Sequence, residues 1–190
     1  FYEVDGGSIL VDGVDTKEMT RHELRDRFGM VLQDAWLFEG SIRDNIAYAQ
    51  DNLPEEKIIA AARSASVDSF IKTLPGGYDF ELSTGAENIS QGQRQLLTIA
   101  RAMASDPEIM ILDEATSNVD THTEQLIQKA LAKLMHGRTS FVIAHRLSTI
   151  RDADMILYME HGDILEHGSH EELMAQHGKY EALYMSQFAQ

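Results

Sequence analysis

The sequence predicts an α/β fold, with a parallel sheet core and an inserted α-helical lobe. Two almost wholly apolar runs, residues 109–112 and 140–144, are typical of strands covered on both faces. Helical segments alternate with these strands, which indicates a parallel sheet. Two successive helical segments within residues 54–105 interrupt the alternation and predict the lobe. The expected bounds are 50–105 for the lobe, and 1–49 and 106–190 for the core.

Local signals define the first elements. Residues 8–13 predict a short strand closed by a turn, one arm of a hairpin whose partner the chain need not contain. Thr20 and Glu23 have the spacing of a capping box and predict a helix over residues 20–27. A strand is expected to follow over residues 28–32.

The next stretch is predicted to be a loop followed by a long helix. Residues 35–49 have no clear period and are expected to form a loop with apolar anchors. Asn52 as a cap and Pro54 in the first turn predict a helix over residues 55–74. The Pro-Gly-Gly segment that starts at Pro75 ends it.

The second half alternates helices and strands more regularly. Ser90 begins a helix that ends near Ser105, with Arg94 and Arg101 expected on its outer side. The remaining predictions are a strand at 109–113, a helix at 121–135, a strand at 140–144, a hairpin of 156–159 with 164–165, and helices from Ser169 and Lys179.

Composition excludes several classes of function. Hydrophobic content of 43% and charged content of 25% are ordinary for a globular protein, while 31 acidic against 16 basic residues give a net charge of −15. This acid excess argues against nucleic acid and against an anionic membrane surface as partners. The chain has no cysteine, and no apolar run is long enough to span a bilayer.

Two adjacent acids, Asp113 and Glu114, end the apolar run of residues 109–112. A buried strand that ends in two carboxylates is costly unless a cation or a reacting water lies there. Mg²⁺ at Asp113 and a water polarised by Glu114, as in nucleotide hydrolysis, meet that condition. The alternative is an acidic cap on the following helix.

Three further candidates have an ordinary alternative each. Ser90 to Gln93 opens a helix, and Gly92 would let an anion approach the helix N-terminus closely; a plain Ser N-cap is the alternative. His145 follows an apolar strand, as a group that senses a terminal phosphate would, although a core histidine is the default. Gln33 also ends a strand, where it could orient water or reach a metal; a surface glutamine is the alternative.

Taken in order, these segments resemble the ATP-binding cassette (ABC) transporter family. The matching segments are Gln33 (Q-loop), 89–93 (signature), 109–114 (Walker B and catalytic glutamate), 117–120 (D-loop) and His145 (H-loop). The resemblance covers nearly the whole chain and implies an incomplete RecA-like (P-loop NTPase) sheet. The usual Leu-Ser-Gly-Gly-Gln signature is Ile-Ser-Gln-Gly-Gln here, and Gly92 is kept.

The resemblance implies roles for residues of one nucleotide site. Asp113 and Gln33 would serve Mg²⁺, and Gln33 would also link the site to a transmembrane partner. Glu114 would be the general base, and His145 would contact the γ-phosphate of ATP.

It also implies a second cassette, bound head to tail. Ser90, Gly92 and Gln93 would bind the ATP held by the opposing cassette, and Asp120 would join the two halves.

Residues 34–46 resemble the segment after the Q-loop in exporter-type half-transporters. Within it, Trp36, Leu37 and Phe38 either form a docking groove for a helix of a transmembrane domain or tie the helical lobe to the core. The resemblance places the cassette at the cytoplasmic face of a membrane, held by a transmembrane domain absent from this chain.

The function implied is ATP binding and hydrolysis that power export. No Gly-x-x-x-x-Gly-Lys-[Ser/Thr] segment occurs in the chain, and it starts at Phe1 without methionine, so we expect a fragment that begins after the Walker A loop. One alternative is a non-catalytic interaction module that cannot bind ATP in isolation. Another, an ABC protein of DNA repair or translation, is disfavoured by the acid excess.

Overall fold

The computed structural model describes residues 4–48, 50, 52–113, 119–144 and 147–188. The chain divides into two units between Val142 and Ile143.

The strands are short, with two to six residues each. They are β1 (Leu10–Val11), β2 (Val14–Asp15), β3 (Phe28–Val31), β4 (Gly40–Ser41), β5 (Glu81–Leu82), β6 (Ile109–Asp113), β7 (Thr139–Ile143), β8 (Ile156–Glu160) and β9 (Asp163–Gly168).

The α-helices are concentrated between β4 and β7 and after β9. They are α1 (Arg21–Asp26), α2 (Ile42–Ile46), α3 (Glu55–Ser64), α4 (Asp68–Ile71), α5 (Gln91–Ser105), α6 (Thr121–Met135), α7 (Leu147–Arg151), α8 (His170–Ala175) and α9 (Lys179–Phe188).

The central sheet of the first unit has the strand order β3-β6-β7. β3 and β6 are parallel, with Phe28 opposite Ile109 and Val31 opposite Leu112. Met110 and Leu112 are buried, as alternate residues of a strand with one face on a core should be. The predicted α/β class with a parallel sheet is thus confirmed.

One apolar core fills the first unit. Its members come from the central sheet and from helices α2 to α6, and Leu97, Ile99, Ile127 and Leu134 are fully buried within it. α5 contributes the longest buried face, because apolar residues recur along it at helical spacing.

The predicted hairpin arm is confirmed, and its partner lies within the chain, since β1 pairs with β2 in antiparallel fashion. One expectation for the first half of the chain is wrong. The predicted loop at residues 35–49 contains β4 and α2, and the Ser41 hydroxyl caps α2 by accepting a hydrogen bond from Asp44 N.

The single helix predicted at residues 55–74 is also wrong, because α3 and α4 are separate. Ser66 has φ +61°, a left-handed conformation that ends a helix. Val67 N donates to Ala62 O at 2.9 Å across this break. Pro54 lies at the N-cap rather than inside the first turn.

The second unit, residues 143–190, contains an antiparallel hairpin of β8 and β9 followed by α8 and α9. Ser169 and Glu172 form a capping box at the start of α8. Leu173 and Tyr180 are buried in a small apolar cluster of this unit.

The buried carboxylate of Asp68 connects α3 and α4 to the residues that follow them. Asp68 is only 8% exposed and accepts hydrogen bonds from Tyr78 Oη at 2.7 Å and from Lys72 Nζ at 2.7 Å, with Arg63 Nε at 3.5 Å. The hydrogen bond from Lys72 is the largest influence that lowers the pKa of Asp68.

We expect Asp68→Asn to lower the free energy of unfolding by about 1–2 kcal/mol at pH 7, because a charged acceptor is lost from a nearly buried site. A carboxyl with a lowered pKa stabilises the fold above its unfolded pKa of about 3.9, and this contribution disappears as the pH falls through the folded value. Urea unfolding at pH 7 and pH 3 should therefore show a difference from wild type that shrinks in acid. Asp5→Asn, at an exposed position, is the control, and an equal difference at both pH values would contradict the assignment.

Candidate functional site

The parallel pairing of β3 and β6 places two candidate residues at the same edge of the sheet. Val31 lies opposite Leu112, and both strands end within a residue of this pair. Asp113 is the last residue of β6 and partly exposed, and Gln33 follows β3 by two residues and is exposed. Carboxylate and amide oxygens are ligands of Mg²⁺ in proteins, so both residues fit the predicted metal.

The other two residues predicted for this site, Glu114 and His145, lie outside the described residues. Glu114 directly follows β6, and His145 comes two residues after β7, the strand next to β6. Their predicted roles stay predictions. Over the residues that the structure describes, no three His, Asp or Glu side chains gather as metal ligands.

Ser90 and Gln93 begin α5 with a capping box. Ser90 N donates to Gln93 Oε1 at 2.8 Å, and Gln93 N donates to Ser90 Oγ at 3.3 Å. The interpretation of Ser90 as an N-cap is therefore confirmed. Its predicted contact with an anion at the helix N-terminus stays a prediction. The serine is exposed at the N-terminus of a 15-residue helix, where the helix dipole favours an anion.

Gly92 is buried, and its missing side chain makes room for α6. A Cβ built on Gly92 would collide with Thr123 Cγ2 and would lie 3.1 Å from Val119 Cγ1. The missing side chain thus makes room for a neighbouring helix. The signature segment thereby packs directly against the end of the predicted D-loop. That Gly92 also lets an anion approach the helix N-terminus stays a prediction.

Asp120 is the N-cap of α6 and lies beside this contact. Its Oδ1 accepts a hydrogen bond from Thr123 N at 3.0 Å. Hydrogen bonds from the backbone and side chain of Thr123 lower the pKa of Asp120, so the carboxylate is charged at neutral pH. Thr123 therefore contacts both Gly92 and Asp120.

Three aromatic rings, Trp36, Phe38 and Tyr48, form what we call the aromatic cluster. Their centroids lie 5.8–6.2 Å apart, which is contact distance for aromatic pairs. Trp36 is 59% and Tyr48 47% exposed, while Leu37 is buried in the core. Leu37 thus ties the segment to the core, and the cluster remains at the surface.

Two residues under the aromatic cluster were missed or misplaced by sequence reasoning. Asn45 is fully buried, and its side chain bonds the backbone of Phe38 and of Ser41. Arg101 was expected on the outer side of its helix, which is wrong: its guanidinium is directed at Asn45 and Trp36. No local signal identifies the contacts of Arg101, because they join residues 56 and 65 positions apart.

In the described part of the chain, no helix has the length and apolar character needed to cross a bilayer.

Comparison with known proteins gives a consistent result. A family model described as "ABC transporter" matches residues 1–117. The chain is 54% identical over 188 residues to "Uncharacterized ABC transporter ATP-binding protein YfiC" of Bacillus subtilis (strain 168), covering 99% of this chain and 31% of the relative. It is 54% identical over 180 residues to "Fatty acid ABC transporter ATP-binding/permease protein" of Mycobacterium bovis, covering 95% of this chain and 28% of the relative.

A solved structure agrees. The structure titled "Structure of a bacterial Atm1-family ABC exporter with ATP bound" superimposes with a TM-score of 0.88 at 40% identity, covering 98% of this chain and 32% of that one. The chain thus spans about a third of the length of the proteins that it matches. Because the family model matches residues 1–117, and the relatives and the solved structure agree along almost the whole chain, this protein belongs to the ABC transporter family as an exporter-type ATP-binding domain.

Proposed function

We propose that this domain binds and hydrolyses ATP to power export through a transmembrane domain, fused to it or bound as a partner. The observation that carries this proposal is the register of β3 and β6, which puts Gln33 and Asp113 at one edge of the sheet. Names of relatives support it, since the Mycobacterium bovis protein is called an ATP-binding/permease protein.

Within the site, Asp113 and Gln33 would hold Mg²⁺, which supplies charge neutralisation for the phosphates of ATP. Glu114 accepts the proton of the attacking water, and His145 donates a hydrogen bond to the terminal phosphate. The order of the motifs in the chain, which resembles that of the ABC transporter family, supports these roles.

A second cassette completes the site in this proposal. Ser90, Gly92 and Gln93 bind the triphosphate that the opposing cassette holds, using the N-terminus of α5. Thr123 contacts both Gly92 and the charged Asp120. The signature segment and the D-loop therefore reach the dimer interface together.

The aromatic cluster is the surface that we propose for the transmembrane domain. Trp36 and Tyr48 expose large rings, Trp36 follows the Q-loop residue Gln33 by three positions, and exposed aromatic residues are typical anchors of interfaces. The domain then lies at the cytoplasmic face of the membrane, held there by that partner.

Nucleotide assays test this function and separate it from the interaction-module alternative. A longer protein that joins this domain to a Walker A segment and a transmembrane domain, which we call the parent protein, should release phosphate from ATP only when Mg²⁺ is present, and EDTA should abolish the release. Absence of Mg²⁺-dependent release would overturn the proposal. Saturable ATP binding by the 190-residue chain alone would refute the non-catalytic alternative, which is based on the missing Gly-x-x-x-x-Gly-Lys-[Ser/Thr] segment.

A further inference from the structure

The guanidinium of Arg101 connects α5 to the segment that carries the aromatic cluster. Nε donates to Asn45 O at 2.8 Å, Nη2 to Asn45 Oδ1 at 3.0 Å, and Nη1 to Trp36 O at 3.0 Å. The same group lies 4.8 Å from the Tyr48 ring centroid and 5.9 Å from that of Trp36. One side chain thus contacts both exposed rings of the cluster.

These contacts are specific to arginine. A planar guanidinium donates along several fixed directions, whereas a lysine ammonium is a single point with no planar face to stack on a ring. Burial lowers the pKa of Arg101, which shows that its environment disfavours the charge. The three hydrogen bonds and two ring contacts offset that cost.

α5 also carries the signature residues at its other end. It runs without a break from Gln91 to Ser105, and the ten helical steps from position 91 to position 101 span about 15 Å. Rigid secondary elements are one route by which two distant sites are coupled. Gly92 lies near the other end of α5, where an added Cβ would collide with Thr123 Cγ2.

We propose that Arg101 is a positioning residue that links the state of the aromatic cluster to the placement of Ser90 and Gly92. This inference rests on the proposed function, in which the cluster receives a transmembrane domain and the N-terminus of α5 contacts ATP. Arg101 itself contacts neither ATP nor the reacting atoms. Displacement of Trp36 pulls on the guanidinium, and α5 transmits the shift to its capping box.

A double-mutant cycle in the 190-residue chain tests the link. Trp36→Ala disturbs the cluster, and hydrogen exchange at the amides of Gln93 and Arg94 reports on the N-terminus of α5, because both amides bond Ser90. We expect Trp36→Ala to raise exchange at these amides by about fivefold in the wild-type background. In the Arg101→Lys background, Trp36→Ala should cause no further rise in hydrogen exchange at these amides. Equal, additive effects in both backgrounds would mean that Arg101 only stabilises the fold, and would overturn the proposal.

Controls keep this result interpretable. Arg63→Lys changes an arginine that contacts Asp68 and no ring of the cluster, so Trp36→Ala should keep its full effect there. If Arg101→Lys does not fold, Tyr48→Ala replaces it, since that ring is the nearest to the guanidinium and is exposed. Tyr48→Ala should then reduce the effect of Trp36→Ala on exchange, and no reduction would count against the link.

Kinetics separate this inference from the function on which it rests. In the parent protein, Arg101→Lys should lower kcat for ATP about tenfold and leave KM within about twofold, because the ATP contacts are intact but poorly placed. A rise in KM alone would contradict a positioning role. A wild-type protein without hydrolysis would refute the proposed function, and the exchange cycle would still decide the mechanical link.

Discussion

We expect Glu114→Gln to lower ATP hydrolysis by the parent protein at least about 10²-fold while ATP remains bound, because general-base catalysis contributes about 10²–10⁴-fold. Glutamine has the size of glutamate and keeps a hydrogen-bonding oxygen. Its amide cannot accept a proton from the attacking water at neutral pH. Single-turnover phosphate release and equilibrium binding of ATP measure the two quantities separately.

A control for this substitution lies at the other end of the same strand. Glu108 precedes β6, is exposed, and pairs with Arg27 at 3.2 Å. Glu108→Gln therefore removes an equal charge without approaching the carboxyl end of the strand. Undiminished hydrolysis in Glu114→Gln, or equal losses in both variants, would refute the role of Glu114.

Elements with local signals were predicted well from the sequence. The capping boxes at Thr20, Ser90 and Ser169 are all present, and each begins a helix where it was expected. α6 has the bounds predicted for it, because its period, its Asp120 cap and the following Gly137 agree. A cap is formed within four residues, so the sequence contains the whole interaction.

Elements that depend on distant contacts were missed. α2 is short and has a local cap at Ser41, but its buried Asn45 also accepts hydrogen bonds from Arg101, 56 positions later in the chain. The break between α3 and α4 depends on a left-handed serine, a conformation that no composition rule assigns to Ser66. Helical periodicity continues through such a break, which is why one helix was predicted.

The candidate site shows the same division. Its sheet edge could be predicted, because parallel strands end together and Gln33 and Asp113 each follow an apolar run. The close packing of Gly92 against α6 could not be predicted, since it brings Gly92 against Thr123, 31 positions later in the printed sequence.

The second large effect is expected from substitution of Gly92, which packs closely against α6. Helix propensity alone predicts that Gly92→Ala stabilises the protein by up to about 1 kcal/mol. The added Cβ would, however, collide with Thr123 Cγ2, and overpacking of this kind costs about 1–3 kcal/mol. We expect the collision to dominate, so that Gly92→Ala lowers the free energy of unfolding in urea, and hydrolysis by the parent protein falls as the N-terminus of α5 is displaced.

A second substitution removes the obstacle. Thr123→Ser deletes Cγ2, the atom nearest to the added Cβ, and keeps both the hydroxyl and the backbone N–H that bonds Asp120. The double variant should therefore be more stable than the sum of the single effects predicts, with a coupling energy of about 0.5–3 kcal/mol. Additive effects on the free energy of unfolding would show that the contact with Thr123 is not what makes a side chain at position 92 unfavourable. Gly6→Ala, where a Cβ meets nothing within 4 Å, is the control for stability. If the double variant recovers its stability but not its hydrolysis, that result would support the proposed contact between Gly92 and the phosphates of ATP.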